Sequence, residues 1–157
     1  EADWEDHLTT LFPEARVKRF IEMRGADAGS WQSLCALPAF WVGLLYDGAT
    51  QKRVADMIAD WTQNERDTLR RNAPVSGLAT PFRGGTLRDL AADVLALAEQ
   101  GLQARANLDG TGSNETQFLH TLQDSVARGQ TPADSLLAKF NGEWQGQVAP
   151  IFDTLAF

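Results

Sequence analysis

Cysteine is nearly missing from this chain: Cys35 is the single one in 157 residues. An internal disulfide is thereby excluded, and such usage fits a reducing compartment. Histidine is scarce too, and His7 has no second His or Cys nearby at metal-ligand spacing. Blocks of like charge are absent, with 14 basic residues set against 21 acidic ones for a formal charge of −7. A nucleic-acid surface needs a basic patch, and none is visible, so no nucleic-acid partner is expected. Long apolar runs are missing as well. The longest, Leu34 to Tyr46, is thirteen residues, too short to cross a bilayer and suited to a buried core helix. The opening Glu1-Ala2-Asp3-Trp4 carries no signal-peptide pattern. Internal repeats and low-complexity segments do not occur. What is present is enough for one domain: 43% hydrophobic content, with five Trp and eight Phe to bury.

Strand patterns are also rare, which gives weight to the one stretch that has one, Arg16 to Asp27. Val17, Phe20, Ile21 and Met23 suit a pleated, half-buried surface. Read as a single strand, alternation puts Lys18, Phe20, Glu22 and Arg24 on one face and Val17, Arg19, Ile21 and Met23 on the other. Glu22 and Arg24 then project the same way, about 6.6–6.8 Å apart along the strand, before Gly25 releases the backbone. Two readings of the pair are open. A carboxylate can hold a divalent cation through oxygen while a guanidinium grips a phosphate or carboxylate in a fork. Equally, the two can form an ordinary ion pair on a solvated face, worth about 0–1 kcal/mol. A lone strand cannot satisfy its own ladder, so its sheet partners are expected elsewhere in a longer polypeptide.

The remainder patterns as helix. Trp4, His7, Leu8, Leu11 and Phe12 suggest a turn or two stopped by Pro13, with Thr9 and Thr10 free to cap it or to bind a substrate. Ser30 is placed to cap a helix from Trp31, which Pro38 should kink or restart before an all-round apolar piece to Tyr46. In that piece Trp41 and Tyr46 could fill the core or line a pocket. Ala49 to Trp61 is amphipathic, and Thr62-Gln63-Asn64-Glu65 is a capping box for a helix that Pro74 should close. The long Pro- and Gly-bearing loop to Gly85 lacks the Gly-Lys-Ser/Thr of a phosphate loop, and its Arg83 could meet an anion or a structural acid. Thr86 should cap the longest helix, to about Arg105. The polar loop 108–114 hints at calcium through Asp109 and Asn114, but it lacks the acidic series of an EF-hand. Helices follow from Glu115 to Arg128, ended by Gly129, and from Thr131-Pro132-Ala133-Asp134 to Gly142. A short one should run from Pro150 toward Phe157. Cys35, in an apolar run with no base beside it, is expected to be structural.

Several runs resemble one family. His7-Leu8-Thr9-Thr10-Leu11-Phe12-Pro13-Glu14, Glu22-Met23-Arg24-Gly25-Ala26-Asp27 and Leu34-Cys35-Ala36-Leu37-Pro38-Ala39-Phe40-Trp41-Val42-Gly43-Leu44-Leu45-Tyr46-Asp47 are similar to glutamate–cysteine ligase of the plant and alphaproteobacterial type. Ala59-Asp60-Trp61-Thr62, Thr80-Pro81-Phe82-Arg83, Arg128-Gly129-Gln130-Thr131-Pro132-Ala133 and Asn141-Gly142-Glu143-Trp144 extend the likeness along the chain. It departs at Ala28-Gly29-Ser30-Trp31-Gln32-Ser33, where the family has Gly-Gly-Pro-Trp and two arginines, so no role given to those arginines carries over.

The resemblance implies a mostly α chain with one short β-strand region, α+β in the parent enzyme, forming the C-terminal part of a glutamine-synthetase-like ligase fold. Residues 1–27 would be a catalytic-sheet strand and its flanks, and 28–157 a helical region of six or seven helices. It implies ATP- and magnesium-dependent joining of L-glutamate to L-cysteine through an acyl phosphate, the first step of glutathione synthesis. By the similarity of Glu-x-Arg to glutamine synthetase, Glu22 would bind magnesium. Arg24 would be the catalytic and substrate-binding group, meeting the phosphoryl group or a substrate carboxylate. The remaining metal and nucleotide ligands would lie upstream, making the N-terminal part of the enzyme a partner and the isolated chain inactive. A cytoplasmic setting in a bacterium rather than a plastid is expected, and the exposed strand could pair two copies into a homodimer. The competing expectation is a non-catalytic helical module that stabilises or regulates a larger assembly.

Overall fold

The computed structural model describes residues 2–10, 13–27 and 29–155, except the side chains of Ala2, Glu5 and Thr9. Leu11, Phe12, Ala28 and Phe157, which the sequence reading used, lie outside the described residues. Helices dominate: α1 is Ala2–Thr9, α2 Trp31–Leu45, α3 Gly48–Ile58, α4 Gln63–Ser76 and α5 Leu87–Arg105. After these come α6 His120–Arg128, α7 Pro132–Asn141 and α8 Pro150–Thr154. Their starts follow the residue chemistry. Thr62, Thr86 and Thr131 each accept from the backbone N–H three residues on, while Glu65, Asp89 and Asp134 reach back, which completes three capping boxes. Gly129, at φ 67°, closes α6 in the left-handed conformation. Among the described residues no helix is long and apolar enough to cross a membrane.

The core forms where α2 crosses α5. At the crossing a Cβ on Gly43 would fall on the Ala98 carbonyl oxygen, and one on Gly101 would fall on the carbonyl of Gly43. Glycine at both positions lets the two backbones touch. Leu44, Leu95, Leu97, Leu102 and Leu119 then pack around that contact, with Trp41, Val54 and Leu122 at its margin. Residues 115–119, a 3₁₀ segment leading into α6, cover one end.

Pro38 does not divide α2, which stays one helix. Of the apolar piece after Pro38, Ala39, Gly43 and Leu44 are buried and Phe40, Trp41, Val42 and Leu45 half-buried, whereas Tyr46 at its end is exposed, as are Trp31 and Leu34 before Pro38. An apolar helix is buried only as far as it has neighbours, and among the described residues the main ones are α3, α5, α6 and residues 115–119. Likewise α4 runs past Pro74 to Ser76.

The loop from Pro74 to Gly85 contains a second small sheet. Strands β3 (Pro81–Phe82) and β4 (Gly85–Thr86) pair antiparallel around Arg83-Gly84, both at positive φ, 45° and 82°. Left-handed geometry at both turn residues matches the twist of a two-residue hairpin. Phe82 packs edge-on against Trp61 at 4.9 Å, and Arg83 binds the Asp60 and Glu65 carboxylates. Arg83 is therefore a structural cation that pins this loop to the start of α4.

The single strand expected at 16–24 is a β-hairpin. Strands β1 (Ala15–Val17) and β2 (Ile21–Met23) pair antiparallel, with Ala15 opposite Met23, Arg16 opposite Glu22 and Val17 opposite Ile21. The stretch supplies its own partner because Lys18, Arg19 and Phe20 turn the chain back, the Lys18 N–H donating to the Phe20 carbonyl at 2.8 Å. The described fold is mostly helical with two short antiparallel hairpins.

Candidate functional site

Reversal of the chain at Lys18–Phe20 changes which side chains meet. Residues directly opposite in an antiparallel pair share a face, so Arg16 joins Glu22 there. The Arg24 N–H donates to the Glu14 carbonyl at 2.8 Å, carrying the pairing one step past β2. Glu22 Oε2 accepts from Arg16 Nε at 2.9 Å and lies 2.8 Å from Arg16 Nη2. Its Oε1 accepts from Arg24 Nη1 at 3.4 Å. Lys18 Nζ stands 3.9 Å away. Glu14 turns outward to Arg70 of α4, 2.9 Å from its Nε.

The Arg16 hydrogen bond does most to hold the Glu22 carboxyl below the ordinary carboxylate range, and the charges of Arg16, Arg24 and Lys18 add to it. Three cations, Arg16, Arg24 and Lys18, face the Glu22 carboxylate here. The hairpin's opposite face is apolar and open: Val17 is 80% exposed and Ile21 61%.

That donor set meets a magnesium ion only in part. Magnesium takes one or two carboxylates with phosphate oxygens and water. Glu22 is one carboxylate, and both its oxygens are engaged by guanidinium groups. Among the described residues no group of three or more His, Cys, Asp or Glu could hold a metal. Glu22 is thus one ligand at most. The arginines, by contrast, suit an anionic oxygen directly.

The other residues singled out in the sequence sit apart from this cluster. Thr10 caps a turn, donating through Oγ1 to the His7 carbonyl at 2.7 Å, and His7 lies exposed against Trp4. Trp41 packs on the core, whereas Tyr46 lies at the surface under the Arg105 guanidinium. Asp109 accepts from the Thr111 and Ser113 N–H groups and the Thr111 hydroxyl, which hold its carboxyl down at about 2. Its oxygens serve the loop's own turn rather than calcium. Cys35 borders an apolar groove of about 240 Å³ with Pro38, Val42, Glu115 and Phe118. A polar cleft of about 280 Å³ lies between α6 and α7, and neither it nor the groove is lined by Glu22 or Arg24.

Comparison with known proteins places this hairpin and helical body in a family. The model of glutamate-cysteine ligase family 2 (GCS2) matches residues 1–154. The chain is 53% identical over 155 residues to a chloroplastic glutamate–cysteine ligase of Arabidopsis thaliana, covering 99% of this chain and 28% of that protein. The chloroplastic ligase of Nicotiana tabacum is 52% identical over the same length, again with 28% of it covered. Ligase A of Oryza sativa subsp. japonica is 50% identical, with 30% covered. The chain belongs to the glutamate–cysteine ligase family. It spans less than a third of the length of these relatives and matches their C-terminal portion. The expected cytoplasmic, bacterial setting is overturned by the same relatives, which are chloroplastic ligases of plants. One cysteine fits a reducing compartment without specifying which.

Proposed function

We propose that this chain is the C-terminal part of an ATP-dependent glutamate–cysteine ligase and that its hairpin contributes Arg24 and Glu22 to the catalytic site. The observation that carries the reading is Glu22 and Arg24 side by side on one face of β2 and its extension, 3.4 Å apart, in a chain matched by the ligase family from residue 1 to 154. In this chemistry the γ-carboxylate of glutamate takes the γ-phosphoryl group of ATP, and the cysteine amine then displaces phosphate. Negative charge builds on the transferring oxygens, where a preorganised guanidinium is worth most. Arg24 stands just past the end of β2, its side chain 23% exposed and its Nη1 3.4 Å from Glu22 Oε1. A guanidinium held in this way can present its fork to a phosphoryl or carboxylate oxygen. Glu22 offers one magnesium ligand, and the bound ion would neutralise nucleotide phosphate charge; its further ligands and the nucleotide contacts belong to the N-terminal part of the enzyme. The outer edges of β1 and β2 offer a surface for a homodimer, which a monomer in sedimentation at high concentration would remove.

A ligase assay of this chain beside a version extended on its N-terminal side tests the reading. The chain alone is expected to release no ADP, and the extended version to release it only with both amino acids present. Turnover by the chain alone would contradict the division of ligands. An extended version that turns over equally well without residues 13–27 would favour the helical-module reading.

A further inference from the structure

The strongest contacts to Glu22 come from a residue outside the Glu-x-Arg pair. Arg16 places Nε 2.9 Å and Nη2 2.8 Å from one carboxylate oxygen, Oε2, while Arg24 reaches the other at 3.4 Å. Arg16 is set there by the strand register, directly opposite Glu22, and its side chain is only 22% exposed. We propose that Arg16 is a positioning residue: it fixes the Glu22 carboxylate across the hairpin and so sets the direction in which Oε1 meets Arg24. The inference rests on the ligase reading of Glu22 and Arg24 given above.

A glutamate side chain turns about three bonds, and one hydrogen bond leaves its carboxylate free to swing. Two nitrogens of a planar guanidinium on one oxygen restrict that swing, and Arg24 on the second oxygen completes the orientation. Lys18 cannot take over, since its ammonium is 3.9 Å away and presents a point charge rather than a fork. A mere ladder pair would affect hairpin stability alone, whereas a positioning residue affects turnover through Glu22 and through nothing else.

The test is a double-mutant cycle in the whole ligase that carries this segment, with Arg16→Met, Arg16→Lys, Glu22→Gln and the Arg16→Met/Glu22→Gln double variant. Steady-state kinetics and thermal melting are read for each. Arg16→Met should lower kcat about tenfold, with KM for glutamate held within about twofold and the melting temperature unchanged. Arg16→Lys should recover part of the loss, and the double variant should be no slower than Glu22→Gln alone. Wild-type kcat in Arg16→Met, or losses that multiply in the double variant, would overturn the proposal. If Arg16→Met does not fold, Arg16→Gln, alone and with Glu22→Gln, takes its place in the cycle with the same criteria. A Glu22→Gln enzyme with wild-type kcat would instead bring down the ligase reading of the pair, so the two failures are separable.

Discussion

At Glu22 a single carboxylate is ringed by Arg16, Arg24 and Lys18, in a chain whose net charge is −7. That Glu22 and Arg24 share a face was legible from the period of two. Arg16 was not, because Lys18-Arg19-Phe20 contains no Gly, Asn or Pro to announce a turn. Arg83 is the opposite case. Its choice between an anion and a structural acid is decided by Glu65, whose carboxyl is held at about 2 rather than 4.5 by hydrogen bonds from Arg83 and then Thr62. Since the folded value is depressed, Glu65 contributes its full share of stability above about 4.5 and loses it as pH falls toward about 2. Melting temperature followed down through that window should fall less steeply in Glu65→Gln than in the unsubstituted chain. Parallel curves would show that the Arg83 pairing contributes nothing to acid sensitivity.

At the scale of elements, the caps carried most of the information. Thr62, Thr86 and Thr131 each mark a helix start in the sequence and in the structure, because a cap is a local hydrogen bond between residues three apart. Pairing over distance was harder to read. The β3–β4 hairpin hides in a Pro- and Gly-bearing stretch with Arg where Asn is usual. The crossing of α2 and α5 likewise depends on two glycines fifty-eight positions apart. Gly43→Ala should push the helices apart and cost about 1–3 kcal/mol. That is a fall of roughly 2–12 °C in melting temperature for a domain this size. Gly48→Ala, where a Cβ meets nothing within 4 Å, should leave melting nearly unchanged and serves as the control. Equal effects at the two positions would contradict the close crossing.

For the whole molecule, the likeness spread over the entire chain was the most informative feature, and the family match over residues 1–154 agrees with it. Domain-scale completeness is a different matter, since the chain covers 28–30% of the relatives it matches. The most direct measurement is the kinetics of Arg24→Ala in the whole ligase, taken beside its thermal melting. Loss of a preorganised donor to a developing oxyanion should lower kcat/KM about 10²–10³-fold, or ~2.7–4 kcal/mol, with little change in melting because Arg24 lies past the last residue of β2 and meets Glu22 only at 3.4 Å. Arg24→Lys should recover only part of the rate, as an ammonium lacks the fork. An Arg24→Ala enzyme that melts early yet turns over at the wild-type rate would make Glu22 and Arg24 a structural ion pair and contradict a catalytic hairpin.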